Sequence, residues 1–185
     1  MDSEQKAAIK AEWEVLIGSF SILMGEIELH ISQLLMLLGS STRGFLNERL
    51  NRLAANVGRL DANLADPCLR CIDEARRLKD LRNEVLHSAL NIYVGFEGIP
   101  VDATVSAEDV EGRETYIGSR IISFDERKSS IDLGGMRALV TDTKKLSDEL
   151  NWMVLAQAFS EDPDGLPKPP TNVVVRTQRF PDAGA

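Results

Sequence analysis

Eight apolar side chains, Trp13, Ile17, Phe20, Met24, Ile27, Ile31, Leu34 and Leu38, recur at alternating spacings of four and three. That spacing lays one continuous apolar stripe along a helix of about 3.6 residues per turn. A second row, Leu16, Leu23, His30 and Leu37, runs along the flank. A helix with two apolar faces has more to bury than one neighbour covers. Two readings follow from the pattern: a central helix inside its own bundle, or a helix that also pairs with a second copy of the chain. The stretch from Leu16 to Leu38 is rich in Leu, Ile and Met, but Glu26, Glu28, His30 and Gln33 interrupt it. Carboxylates are costly at a bilayer centre, so it reads as a buried helix and no membrane partner is expected.

The remaining helices are read from their punctuation. Gly39-Ser40-Ser41-Thr42 offers a break and an N-cap, after which Phe45, Leu46, Leu50, Leu53, Val57 and Leu60 continue a helical period. Asp66-Pro67 has the form of an N-cap followed by a first helical residue, where a missing N–H costs nothing, and predicts a third helix from Pro67 to about Leu90. The period then changes to two: Ile92, Val94 and Phe96 alternate against Tyr93 and Gly95, and Tyr116 to Phe124 alternates similarly. These segments predict a small hairpin, extended by Ser129 to Leu133, with a mobile acidic loop over Gly98 to Arg113. Asp132 is placed to cap a fourth helix whose inward face is Met136, Leu139, Val140, Leu146, Leu150, Met153 and Val154. The expected fold is mainly α, an up-and-down four-helix bundle with a small β-hairpin inserted between helices 3 and 4. With 185 residues, 43% of them hydrophobic, the chain can bury one core, so residues 1–159 are expected to form a single helical domain, with the hairpin and loop at about 91–131. Five prolines after Ser160 make 160–185 a flexible tail or partner-binding arm.

A net charge of -8 is the wrong sign for a protein that coats nucleic acid generically. Any nucleic acid must meet a local patch. From Arg43 to Arg82 the sequence carries nine basic residues against six acidic ones, so this segment is locally positive. Met1-Asp2-Ser3-Glu4 lacks the basic region and apolar core of a signal peptide, and a cytoplasmic location is expected.

Chemistry concentrates at the end of the third predicted helix. Asn83 and His87 are four apart and share a face, which continues backward through Asp80 and Arg76. Arg82 lies about 100° round, but its long arm reaches the same side. Histidine exchanges a proton near neutral pH, arginine is a permanent cation with a planar fork matched to phosphate oxygens, and asparagine can orient an imidazole. The combination suits phosphodiester cleavage. In RNA the 2′-hydroxyl can act as internal nucleophile, so neither a metal nor a protein nucleophile is required, and no cofactor is expected.

The string Arg82-Asn83-Glu84-Val85-Leu86-His87 resembles the R-N-x-x-x-H motif of the HEPN superfamily. The resemblance implies a helical bundle, usually homodimeric, in which the motifs of two protomers meet in one metal-independent endoribonuclease site. It further implies a toxin, phage-defence or RNA-processing role, with an antitoxin or partner protein in the first case. By position Arg82 would stabilise the charged phosphorane, Asn83 would orient the site and His87 would transfer the proton. Arg76 and Lys79 are the adjoining candidates for RNA contact, and dimerisation is expected through helix 1, helix 3 or both. The resemblance covers roughly residues 4–90 and 132–158.

Two further clusters have plainer explanations. Cys68-Leu69-Arg70-Cys71 stands near a helix start, where the dipole lowers a thiol pKa, but no second cysteine pair exists for a structural zinc. The cysteines are expected to be small buried residues in the reduced state, with a redox helix as the alternative. Glu26 and His30 share a face, yet two ligands do not make a metal site, and a hydrogen-bonded histidine is expected. The rival to the nuclease is a non-catalytic helical dimerisation or interaction module. It predicts Arg82 and His87 engaged by the chain's own carboxylates, such as Asp80 or Glu84. The basic residues from Arg43 to Arg82 also have a plain reading, as solvated helix faces with i,i+4 pairs such as Arg76 with Asp80.

Overall fold

The computed structural model describes residues 3–101, 103–122 and 130–159. The predicted tail from 160, together with Ser123, Phe124 and Ser129, lies outside the described residues. The protein is mainly helical, with one small antiparallel sheet. In chain order it comprises α1 (Ser3–Leu37), α2 (Leu46–Asn56), α3 (Ala62–His87), β1 (Ala89–Phe96), α4 (Ala107–Val110), β2 (Thr115–Ile122), β3 (Ile131–Asp132) and α5 (Leu133–Ala158).

The first apolar stripe is the spine of the core. Trp13, Phe20, Met24, Ile27, Ile31 and Leu34 are fully buried, Leu38 nearly so, and Ile17 half-buried. They face Met136, Leu139, Leu146, Leu150 and Met153 of α5, and Leu50, Leu53, Leu64, Ile72 and Leu78 of α2 and α3 complete the same core. Val140 and Val154, expected inside, are half-buried at its margin. Polar groups on the buried face of α5 are largely provided for: the Thr143 hydroxyl donates to the carbonyl of Leu139, and Ser147 donates to Glu26 of α1.

Chain ends of the helices follow the sequence in part. Gly39 at φ +63° ends α1 in a Schellman arrangement, its N–H donating to Met36 and the Ser40 N–H to Leu35. The expected Ser/Thr cap on α2 is absent, because the helix starts later, with Phe45 at the N-cap and no side-chain cap bond. The predicted start of α3 at Pro67 is also corrected. The helix begins at Ala62, ends at His87 and carries Pro67 one turn inside. Leu64 is buried to 1% exposure, so the turn before the proline is held by the core, and this packing outweighs the one hydrogen bond that Pro67 cannot donate. Asp132 caps α5 as expected, its carboxylate accepting from the Gly135 N–H at 2.6 Å.

The strand order is β1-β2-β3, all antiparallel, with Tyr93 opposite Gly118 and Gly95 opposite Tyr116. The two tyrosine rings meet edge to face at 6.4 Å, and each covers the glycine across from it. Between the strands, the predicted acidic loop is not devoid of structure: Ser106 and Asp109 form a reciprocal capping box on α4. The sheet is tied to the helices by a buried bond, Trp13 Nε1–H to Ser119 Oγ at 2.8 Å.

One buried carboxylate stands out. Glu149 on α5 is 7% exposed, and its Oε2 has no hydrogen-bond partner among the described residues. Burial pushes its pKa above the ordinary 4.5, against the opposing pull of the Cys71 thiol and Arg70. A raised acid favours the fold below its ordinary pKa and costs stability as pH rises through the folded value. Glu149→Gln therefore raises the thermal midpoint at pH 7, by about 1 kcal/mol of stability, and the gain disappears in melts run below the ordinary glutamate pKa. An equal gain at both pH values would refute this account.

Candidate functional site

Glu28 on the flank of α1 gathers the basic residues of two other helices. Arg49 of α2 binds it closely, Nη2 donating to Oε2 at 2.5 Å, while Arg49 Nη1 donates to Ser32 Oγ at 2.7 Å. Arg82 of α3 approaches the other carboxylate oxygen from 3.9 Å, beyond hydrogen-bond reach. A cavity of about 390 Å³ opens here, lined among others by Glu28, Asn47, Arg49, Lys79, Arg82 and Asn83. Among the described residues three cations and one carboxylate face it. The Nε atoms of Arg49 and Arg82 are buried without a partner among the described residues. An unfilled guanidinium donor beside a basic cavity favours an anion with several oxygens.

The structure thus brings together Arg82, Asn83 and Lys79. Lys79 is partly occupied, donating to Asn47 at 3.2 Å and pairing with Asp80 at 3.0 Å. Arg76 does not line the cavity, being held by Asp73 and Asn51, so the expected Arg76–Asp80 pair does not form. The i,i+3 partner on its own helix wins because Asp80 is taken by its neighbour Lys79. His87 also lies outside the cavity lining. It is exposed in the last turn of α3, with no hydrogen bond or ion pair among the described residues. Arg82 is engaged by a carboxylate, but by Glu28 of α1 and not by Asp80 or Glu84 of its own helix.

Sequence reasoning missed Glu28 and Arg49. They are 21 residues apart, and each has the composition of an ordinary solvated helix position. The one available signal was the basic excess from Arg43 onward, which includes Arg49 but singles out no residue. His30 is half-buried and bonded to Gln33 at 3.0 Å, as a hydrogen-bonded histidine should be. Cys68 and Cys71 are free and buried, and burial pushes the Cys68 thiol up to about 12 and that of Cys71 higher still, so neither presents a reactive thiolate. Among the described residues no group of three His, Cys, Asp or Glu side chains is placed to hold a metal ion.

Fold and site together define a mainly helical protein with a cationic interhelical cavity. No family model, curated protein or solved structure matches the chain. By length and composition α1 is apolar enough to cross a membrane.

Proposed function

We propose that the chain is a metal-independent endoribonuclease of the R-N-x-x-x-H type that acts as a homodimer in the cytoplasm. The observation that carries this reading is the state of Arg82: its Nε is buried and unfilled, its fork is only loosely held by Glu28, and it borders a basic cavity. An RNA phosphate placed there would meet Arg82, Lys79 and Asn83. His87, four residues beyond Asn83 on the same helical face, is free to take part in proton transfer. In the reaction the RNA 2′-oxygen bonds to phosphorus and the bond from phosphorus to the 5′-oxygen breaks. The 2′-hydroxyl loses a proton, the departing 5′-oxygen gains one, and a 2′,3′-cyclic phosphate remains. Two proton transfers and one motif histidine per chain favour a site shared by two protomers. The finer fold belongs to the same reading: α1, α2, α3 and α5 as an up-and-down four-helix bundle, and the sheet as an inserted hairpin. So does a toxin or phage-defence setting, in which an antitoxin would cover the basic cavity.

The test is cleavage of RNA in the presence of a chelator by the wild type, His87→Ala and Arg82→Ala. Equal activity in all three sinks the assignment of roles, and no activity in any of them sinks the enzyme. Glu28→Gln gives a binding readout of the same cavity. Removing the Glu28 carboxylate strengthens binding of a short RNA by about fivefold, the equivalent of about 1 kcal/mol for a partly exposed pair, measured by fluorescence anisotropy at fixed salt. Unchanged affinity would mean that RNA does not enter the cavity.

Two observations favour a second reading, a non-catalytic dimerisation or interaction module: His87 stands apart from the cavity that Arg82 lines, and Arg82 already has a carboxylate within 4 Å. Under that reading Glu28, Arg49 and Arg82 form a structural ion cluster joining three helices, and Glu28→Gln lowers the thermal midpoint without altering RNA affinity.

A further inference from the structure

The face of α1 that points away from the core is neither polar nor covered by the described residues. Val15, Ile22, Leu29 and Met36 are 66%, 66%, 55% and 65% exposed, and they stand seven residues apart in one row. Beside that row runs a second with the same period, Ala11, Gly18, Gly25 and Ser32, all small. A side chain added at Gly18 or Gly25 would meet nothing within 4 Å. Large and small residues that repeat every seven positions over three repeats have the pattern of a helix-pairing seam. The flanks of the seam are already taken by the chain itself. Glu12 and Glu26 bind Arg137 and Ser147 of α5 on one side, and Glu28 binds Arg49 of α2 on the other.

We infer that this face pairs with the same face of a second copy, antiparallel, about a two-fold axis between Leu23 and Met24. The seam is complementary to itself in one register. Aligning residues whose numbers sum to 47 seats Val15 on Ser32, Ile22 on Gly25, Leu29 on Gly18 and Met36 on Ala11 of the second copy. Every large side chain then enters a gap left by a small one. Sliding by a heptad in one direction sets Met36 against Glu4, and in the other carries Val15 beyond the end of α1. A parallel pair would stack large on large and leave Gly18 and Gly25 facing empty space, which forfeits contact. No carboxylate opposes another in the antiparallel register: Glu28 lies beside Ser21, Glu26 beside Ser19, Glu12 beside Gln33 and Glu14 beside Leu35 of the other copy.

The area is adequate. From Ala11 to Met36 the seam is about 39 Å long and about 10 Å wide, and with the flanking rows the pair buries roughly 1,000 Å² in all, the lower bound for a specific interface. Such a dimer dissociates measurably on dilution. Its geometry also bears on the cavity. A two-fold axis perpendicular to α1 keeps the α2–α3 flank of both copies on one side, so both Glu28 cavities open on the same face, about 14 Å apart along the helices at a rise of 1.5 Å per residue. Ser32 belongs to both features, being a small position of the seam and the acceptor for Arg49. This inference deepens the homodimer part of the reading above, but the pairing itself does not depend on the nuclease.

Crosslinking through introduced cysteines tests it, because Cys68 and Cys71 are buried. Under mild oxidation the double variant Gly18→Cys/Leu29→Cys gives a covalent dimer, whereas each single variant does not, its two copies lying about 16 Å apart along the pair. Sedimentation at micromolar concentration gives twice the 20.4 kDa chain mass for wild type, and Ile22→Lys/Leu29→Lys gives a monomer with unchanged helix content by circular dichroism. Crosslinking by either single variant would establish a different register or a parallel pair and overturn the inference. So would a monomeric wild type, a dimer that survives the lysines, or a monomer that floats with lipid vesicles through this face. RNA cleavage is read separately: an inactive protein that still crosslinks as described refutes the nuclease and leaves the seam standing.

Discussion

Replacing His87 with alanine is expected to reduce RNA cleavage by about 10²- to 10⁴-fold, the usual contribution of a positioned proton-transfer group, with no change in thermal midpoint. The separation of the two readouts follows from its setting. His87 is exposed, has no partner among the described residues and contributes nothing to the core. Its loss can therefore act only through chemistry or binding. Arg82→Ala is expected to cost about 10²- to 10³-fold in the same assay and also to lower stability slightly, because its stem is half-buried and its head stands near Glu28. A purified protein whose cleavage activity survives His87→Ala carries a contaminating nuclease or uses other residues. Either outcome rules out the role given to this histidine.

The largest effect on folding is expected at Trp13. Its ring is fully buried, and its indole N–H is spent on Ser119, the buried link between α1 and the sheet. Trp13→Ala removes both and costs about 3–5 kcal/mol, a large part of the roughly 5–15 kcal/mol that holds an ordinary domain. Ser119→Ala isolates the polar component: it leaves a buried N–H without an acceptor, at about 1–3 kcal/mol. Denaturant melts of the two variants check the ordering. If Ser119→Ala were neutral, another acceptor or water would have to reach the indole, and the sheet would not depend on this bond for its attachment.

How far the sequence could be read depended on the range of the interaction. The α1 stripe from Trp13 to Leu38 was legible because helical periodicity is local and the stripe is long. Asp132 was legible as a cap because its partner is three residues away. Pro67 misled because Asp-Pro is a good local start signal, while the decision to begin at Ala62 was taken by Leu64 in the core. The rows 16/23/30/37 and 15/22/29/36 of α1 have the same period and similar apolarity, so nothing local distinguishes them. In the fold Leu16 and Leu23 are half-buried and Val15 and Ile22 stay outside. The site divided in the same way. Arg82 and Asn83 were visible in their own helix, whereas the carboxylate that meets Arg82 comes from α1, and Arg49 beside it from α2.

The crossed Tyr–Gly pairs of the sheet have an evolutionary consequence. Tyr116 lies where a side chain at 95 would go, and Tyr93 where one at 118 would go. Each glycine is therefore free to vary only in concert with the ring opposite it. In relatives of this chain the pairs 93/118 and 95/116 should change together, a bulky residue migrating from one strand to the other while the total volume on that face of the sheet is kept.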